Sequence, residues 1–167
     1  MATDRKARAD LRDALTSYMR GDIRTFEFDD RNSIYFEQGL TEDRSVRDIG
    51  RVLWTMHDDF IDHPISVSPE GWQILKQVVT FLGTDLELPP VARRKRLPPF
   101  WPFCDESEWL ANEQTGSDRR IPEYDPGMHG RWVQPWWNRI PTGVGLAVIL
   151  GVLAVFVLIM ALARAGQ

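Results

Sequence analysis

The densest cluster of residues able to do chemistry is His57-Asp58-Asp59-Phe60-Ile61-Asp62-His63. Two imidazoles and three carboxylates within one short segment are the donor types that hold a divalent metal. The spacing works against it. On a helix, His57 and His63 lie about 240° apart, so they cannot close on one ion. Asp58 and Asp62 share a face, but two carboxylates make only a weak, open site. The cluster reads as the acidic end of a helix, with its carboxylates opposing the helix dipole.

The second candidate is Cys104 with His129, a nucleophile and a base that only the fold could bring together. No basic residue adjoins Cys104 in sequence to lower its pKa. A single cysteine allows neither an internal disulfide nor a cysteine-based zinc site. The chain has no glycine-rich phosphate loop, no serine nucleophile elbow and no HExxH motif. The expectation is therefore a protein that is not an enzyme. It should use no cofactor and bind neither metal, nucleic acid nor a small-molecule substrate.

The elements around these residues are more informative. The chain has 167 residues, 43% hydrophobic and 26% charged, too apolar and aromatic for wholesale disorder. Residues 1–90 carry 11 Lys+Arg against 17 Asp+Glu, whereas residues 91–139 carry 8 against 7. Arginine outnumbers lysine 17 to 3, which suggests a GC-rich bacterial genome.

No charge occurs between Arg139 and Arg164, and the 24 residues Ile140 to Ala163 are almost wholly apolar. At about 1.5 Å rise per residue, roughly 20 such residues cross a hydrocarbon core. A soluble core helix is the alternative, but nothing else in the chain could surround it. Residues 140–163 are therefore read as a transmembrane helix, followed by a short tail, 164–167. Trp132, Trp136 and Trp137 precede it as membrane-interface anchors, or as packing for a small domain. Pro141 suits the first turn.

The first 20 residues are charged and lack the apolar core of a signal peptide. That layout, with Arg131 and Arg139 before the span, predicts a tail-anchored protein of the inner (cytoplasmic) membrane. Its N-terminal region would be cytoplasmic and its C-terminus on the far side. Gly143, Ala147 and Gly151 line one side of the span, a small-residue face on which a partner helix could pack. The span has no His, Asp, Glu, Lys or Arg, so it offers no proton relay and no imidazole ligand.

Residues 1–88 read as an acidic helical domain of three helices. Ala7, Leu11, Ala14, Leu15 and Tyr18 mark one face of a helix from about Asp4 to Arg20, ended by Gly21. Between residues 21 and 39, alternating Phe26 and Phe28 permit a short strand or an extended loop. Thr41 is the expected N-cap of a second helix running to about Phe60, with Val46, Ile49, Leu53, Met56 and Phe60 as its stripe. His63-Pro64 stops it. Ser68-Pro69-Glu70 starts a third helix. Its apolar face is Trp72, Leu75, Val78, Val79 and Leu82, and Gly83 ends it.

Within this domain, residues 53–88 carry the Asp58-Asp59 pair, the Ser68-Pro69-Glu70-x-Trp72 start and the Phe81-Leu82-x-Thr84-Asp85 end. This stretch resembles a small helical domain of uncharacterised bacterial proteins. The resemblance covers at most half of the chain, implies a helical fold, and carries no activity.

Residues 89–139 hold eight of the eleven prolines and read as an irregular, basic, aromatic connector. Phe100, Trp101, Phe103, Trp109 and Tyr124 are costly to leave in water. The connector should therefore lie on its own domain, on the membrane surface or on a partner, with Phe100, Trp101, Phe103 and Trp109 as anchors. Arg93-Arg94-Lys95-Arg96 could meet anionic headgroups, at about 1 kcal/mol per basic residue. It could also meet an acidic patch on a partner, or be a solvated charge run.

The fold expected is thus mainly α: a small three-helix N-terminal domain, an irregular Pro/aromatic-rich connector and one C-terminal transmembrane helix. The function expected is a non-catalytic single-span accessory subunit that packs on and stabilises a larger inner-membrane complex, with energy-transducing complexes among the candidates. Its partners would be membrane lipid and other integral membrane subunits. The alternative is a tail-anchored regulatory adaptor that recruits a soluble cytoplasmic partner.

Overall fold

The computed structural model describes residues 3–55, 61–89, 97–116 and 120–130. They belong to one compact unit that extends to Trp132; the second unit, Val133–Gln167, lies outside the described residues. The expected transmembrane helix, its small-residue face and the tail therefore fall outside the description. Trp132, Trp136, Trp137 and the run Arg93–Arg96 fall outside it too. Among the described residues, no helix is long and apolar enough to cross a membrane. Those residues are mainly helical and contain no strand.

Helix α1 spans Arg5–Met19. Asp4 caps it by accepting the Ala7 N–H at 3.0 Å, and Gly21 leaves it at φ +76°, a left-handed turn that favours glycine. All five residues of its expected apolar face are buried.

Helix α2, Thr25–Phe36, replaces the expected strand or loop. Phe26 and Phe28 do not share a face: Phe26 is 42% exposed and Phe28 4%. The buried positions are Phe28, Asn32 and Tyr35, at helical spacing. Arg24 gives α2 no side-chain cap. Its orphan N–H groups are met instead from residues 62 and 63. The Phe26 N–H donates to the Asp62 carboxylate at 3.2 Å, and the Thr25 N–H to the His63 carbonyl at 3.0 Å. A start signal supplied from so far along the chain leaves no local trace.

Helix α3, Arg44–Trp54, starts later than expected. Asp43, not Thr41, is its N-cap and accepts the Ser45 N–H at 2.9 Å. The helix ends at Trp54 with Thr55 as C-cap, short of the expected Phe60; residues 56–60 lie outside the description. Val46, Ile49 and Leu53 are buried. At Gly50 the helix approaches α2 so closely that a Cβ there would sit 3.0 Å from Asn32 Oδ1. Asn32 Nδ2 donates to the Gly50 carbonyl across the same gap at 3.0 Å.

Helix α4, Pro69–Leu82, begins at Ser68, whose hydroxyl accepts the Gly71 N–H at 3.1 Å. Its five expected core residues are buried, and so are Gln77, Thr80 and Phe81. Burial on more than one face follows from its central position, because both α1 and α5 pack on it.

Helices α5, Glu106–Gly116, and α6, Pro126–His129, fall in the stretch expected to be irregular. Pro98, Pro99, Pro102 and Pro122 lie before these helices and Pro126 at the first position of α6, where they do not break them. Phe103 meets Phe81 of α4 edge-on at 5.6 Å and Trp109 of α5 at 5.4 Å. Trp101, Phe103 and Trp109 belong to the same buried core as α1 and α4, with Phe100 partly buried against it. Residues 97–116 therefore complete the helical domain instead of leading away from it.

Candidate functional site

The described remnant of the acidic cluster is occupied with local structure. Asp62 holds the first turn of α2 and lies 3.5 Å from Arg24. The His63 carbonyl also accepts the Thr25 hydroxyl, and its Nδ1 lies 2.7 Å from the Pro64 carbonyl. His57, Asp58 and Asp59 lie outside the described residues, among which no three His, Cys, Asp or Glu gather around a metal-sized space.

Cys104 and His129 are not brought together. Cys104 is exposed. Desolvation, then the Glu108 carboxylate and then Asp105, push its thiol up, away from the thiolate a nucleophile needs. His129 Nδ1 accepts the Asp125 N–H at 2.9 Å, and its Nε2 is buried with no partner.

Two other constellations dominate the domain, one at each end of α4. The first is a buried ion pair at the C-terminal end. Arg8 of α1 and Asp43, the cap of α3, have side chains only 2% and 4% exposed. Arg8 Nε donates to Asp43 Oδ2 at 2.7 Å, Nη2 to Oδ1 at 3.3 Å, and Nη1 to the Thr84 carbonyl at 2.7 Å. Its guanidinium also lies 5.6 Å from the Phe81 ring centre.

Asp43 additionally accepts the N–H groups of Asp4 and Ser45. Burial alone would push its carboxyl up, but the Arg8 hydrogen bonds and charge and the two N–H groups outweigh it and hold it below the usual carboxylate range. Thr41 gives its hydroxyl to Asp4 and accepts the Asp43 N–H, and the Leu88 N–H donates to Ser45 Oγ. One arginine thus joins the starts of α1 and α3 to the end of α4.

Clefts of about 110 and 290 Å³ flank this clamp. Both fall below the roughly 300–1,000 Å³ of small-molecule sites. Two of the arginines that line them are spent on carboxylates of the same clefts: Arg8 on Asp43, and Arg5 on Asp85 at 2.6 Å. This arrangement fixes three helices. Its partial sequence signal is an arginine at the edge of an apolar stripe (Arg8 beside Leu11 and Leu15), but the stripe does not name the partner.

The second constellation is aromatic and lies at the N-terminal end of α4. The His129 ring stacks on Trp72 at 4.0 Å and 22°. Tyr124 meets Trp72 edge-on at 6.0 Å. The Val67 N–H donates to the His129 carbonyl at 2.9 Å, and the Tyr124 hydroxyl to the Val67 carbonyl at 3.2 Å. Asp125 caps α6 through the Gly127 N–H at 2.7 Å. Trp72 Nε1 and His129 Nε2 are both buried without a partner.

No family model matches the chain, and no curated protein or solved structure gives a significant match.

Proposed function

We propose that this chain is a non-catalytic, single-span accessory subunit that packs on and stabilises a larger inner-membrane protein complex, with energy-transducing complexes among the candidate hosts. The observation that carries the reading is the uncharged run from Ile140 to Ala163, with Trp132, Trp136 and Trp137 before it. The run would anchor the chain, and its Gly143, Ala147 and Gly151 face would receive a helix of the host. Residues 1–130 would form the cytoplasmic part, and Arg93–Arg96 would meet headgroups or the host.

The burial of Trp101, Phe103 and Trp109 favours a subunit over a tethered adaptor. An adaptor needs a loose connector, whereas residues 97–116 are part of a folded core. Only residues 131–139 separate the helical domain from the apolar run.

Extraction of the native protein in mild detergent tests this. A large particle of fixed composition is expected, and a Gly151→Leu variant should dissociate from it. A small monodisperse particle, together with rapid protease cleavage between residues 89 and 139 in inverted vesicles, would sink the subunit reading in favour of the adaptor.

A further inference from the structure

His129 is 1% exposed, and its position leaves no room for a second ring proton. Because Nδ1 accepts the Asp125 N–H, the proton of the neutral ring sits on Nε2, which is buried without an acceptor. Protonation would place a second N–H at Nδ1, pointing at an N–H. The imidazolium would then be buried with neither donor satisfied.

The surrounding groups offer little compensation. The Asp125 carboxylate draws a proton toward the ring, but its Oδ1 accepts the Gly127 N–H and neither oxygen is hydrogen-bonded to a ring nitrogen. The Tyr124 phenol donates to the Val67 carbonyl and makes no hydrogen bond with either ring nitrogen. Trp72, contributed by α4, does not titrate; its face would attract a cation but cannot accept a hydrogen bond. Lys76 of α4 pairs with Glu123 at 3.1 Å. Burial outweighs the pull of Asp125 and holds His129 below the ordinary histidine range.

The same residue carries the attachment. The chain at 124–130 is tied to both backbone groups of Val67, immediately before the α4 cap Ser68. We propose that this attachment is an acid-sensitive latch: protonation of His129 expels its ring from Trp72 and releases residues 124–130 from the start of α4.

The test uses the full chain in mild detergent. Imidazole NMR signals of the three histidines are assigned with His57→Asn and His63→Asn variants. His129 is expected to titrate below the ordinary value of about 6.5. Exchange protection of the Val67 amide, corrected for intrinsic rate, is expected to fall at least tenfold across that midpoint. In His129→Phe, which keeps a ring on Trp72 but takes no proton, Val67 protection should not depend on pH over that range. Unchanged Val67 protection on both sides of the His129 midpoint overturns the latch, and so does the same loss in His129→Phe. If His129→Phe does not fold, His129→Asn serves, because its amide oxygen can accept the Asp125 N–H.

Discussion

The two ends of α4 are held by opposite chemistry. At the C-terminal end, Arg8 and Asp43 are fully charged, buried and hydrogen-bonded to each other, to Thr84 and to two further N–H groups. At the N-terminal end, His129 is neutral and leaves Nε2 unpartnered, as Trp72 leaves its Nε1. Ionisation is what makes the first end hold, and it is what would undo the second. The contrast shows that burial alone does not decide whether a polar group secures a fold. What decides is whether its donors and acceptors are met in the charge state that burial leaves it.

The comparison can be broken most severely at the charged end. Asp43→Ala strands the buried Arg8 guanidinium and removes the cap of α3, so a loss of about 3–5 kcal/mol is expected in urea unfolding. Replacing both partners, with Arg8→Met and Asp43→Leu, should recover the part of that loss that comes from the stranded guanidinium, while the cap of α3 stays lost. A double variant no more stable than Asp43→Ala would show that the stranded guanidinium is not what Asp43→Ala costs.

Phe103→Ala probes the same end from the aromatic side. It removes a buried ring from Phe81 and Trp109, and about 3–5 kcal/mol should be lost if residues 97–116 are part of the domain core. Unfolding of residues 1–88 at an unchanged urea midpoint would show instead that this segment only rests on the surface.

Mild acid should separate the two ends. The folded-state value of His129 lies below its unfolded value, so the unfolded chain takes up the proton first. Its contribution is complete above about pH 6.5 and is lost as pH falls through the folded value. The folded-state value of Asp43 is also lowered. Its contribution persists to about pH 3.9 and is lost only below that. Hydrogen exchange on acidification should therefore open the Val67 end first. Simultaneous opening of both ends would contradict the contrast.

The smallest effect is expected at Arg5–Asp85, which repeats the arginine–aspartate chemistry of the clamp with side chains 82% and 58% exposed. Water screens this pair, so Asp85→Asn should cost less than about 1 kcal/mol in the same unfolding assay. A cost approaching that of Asp43→Ala would mean that exposure does not separate the two pairs.

Much of the helical core was legible locally. The apolar faces of α1 and α4 and the Ser68 cap need only helical spacing and capping chemistry, and Val46, Ile49 and Leu53 mark α3 in the same way. Helix α2 was not legible, because its first-turn partners come from residues 62 and 63 and its two phenylalanines mimic an alternating strand. The clamp was legible only by half: Arg8 breaks an apolar stripe, but nothing local connects it to Asp43. His129 was legible only as a distant base for Cys104; its seat on Trp72 left no local trace, since a lone histidine near a proline and two glycines is ordinary loop composition.

The sequence by itself determined the elements whose signals lie within a few residues: the buried helix faces and the Ser68 start. Tertiary structure decided which polar groups face one another. It folded residues 97–116 onto α4, met Arg8 with Asp43, and laid His129 on Trp72. Such pairings depend on long-range packing, in which a residue's partner is fixed by where separate helices meet. Local propensity and periodicity carry no record of that meeting.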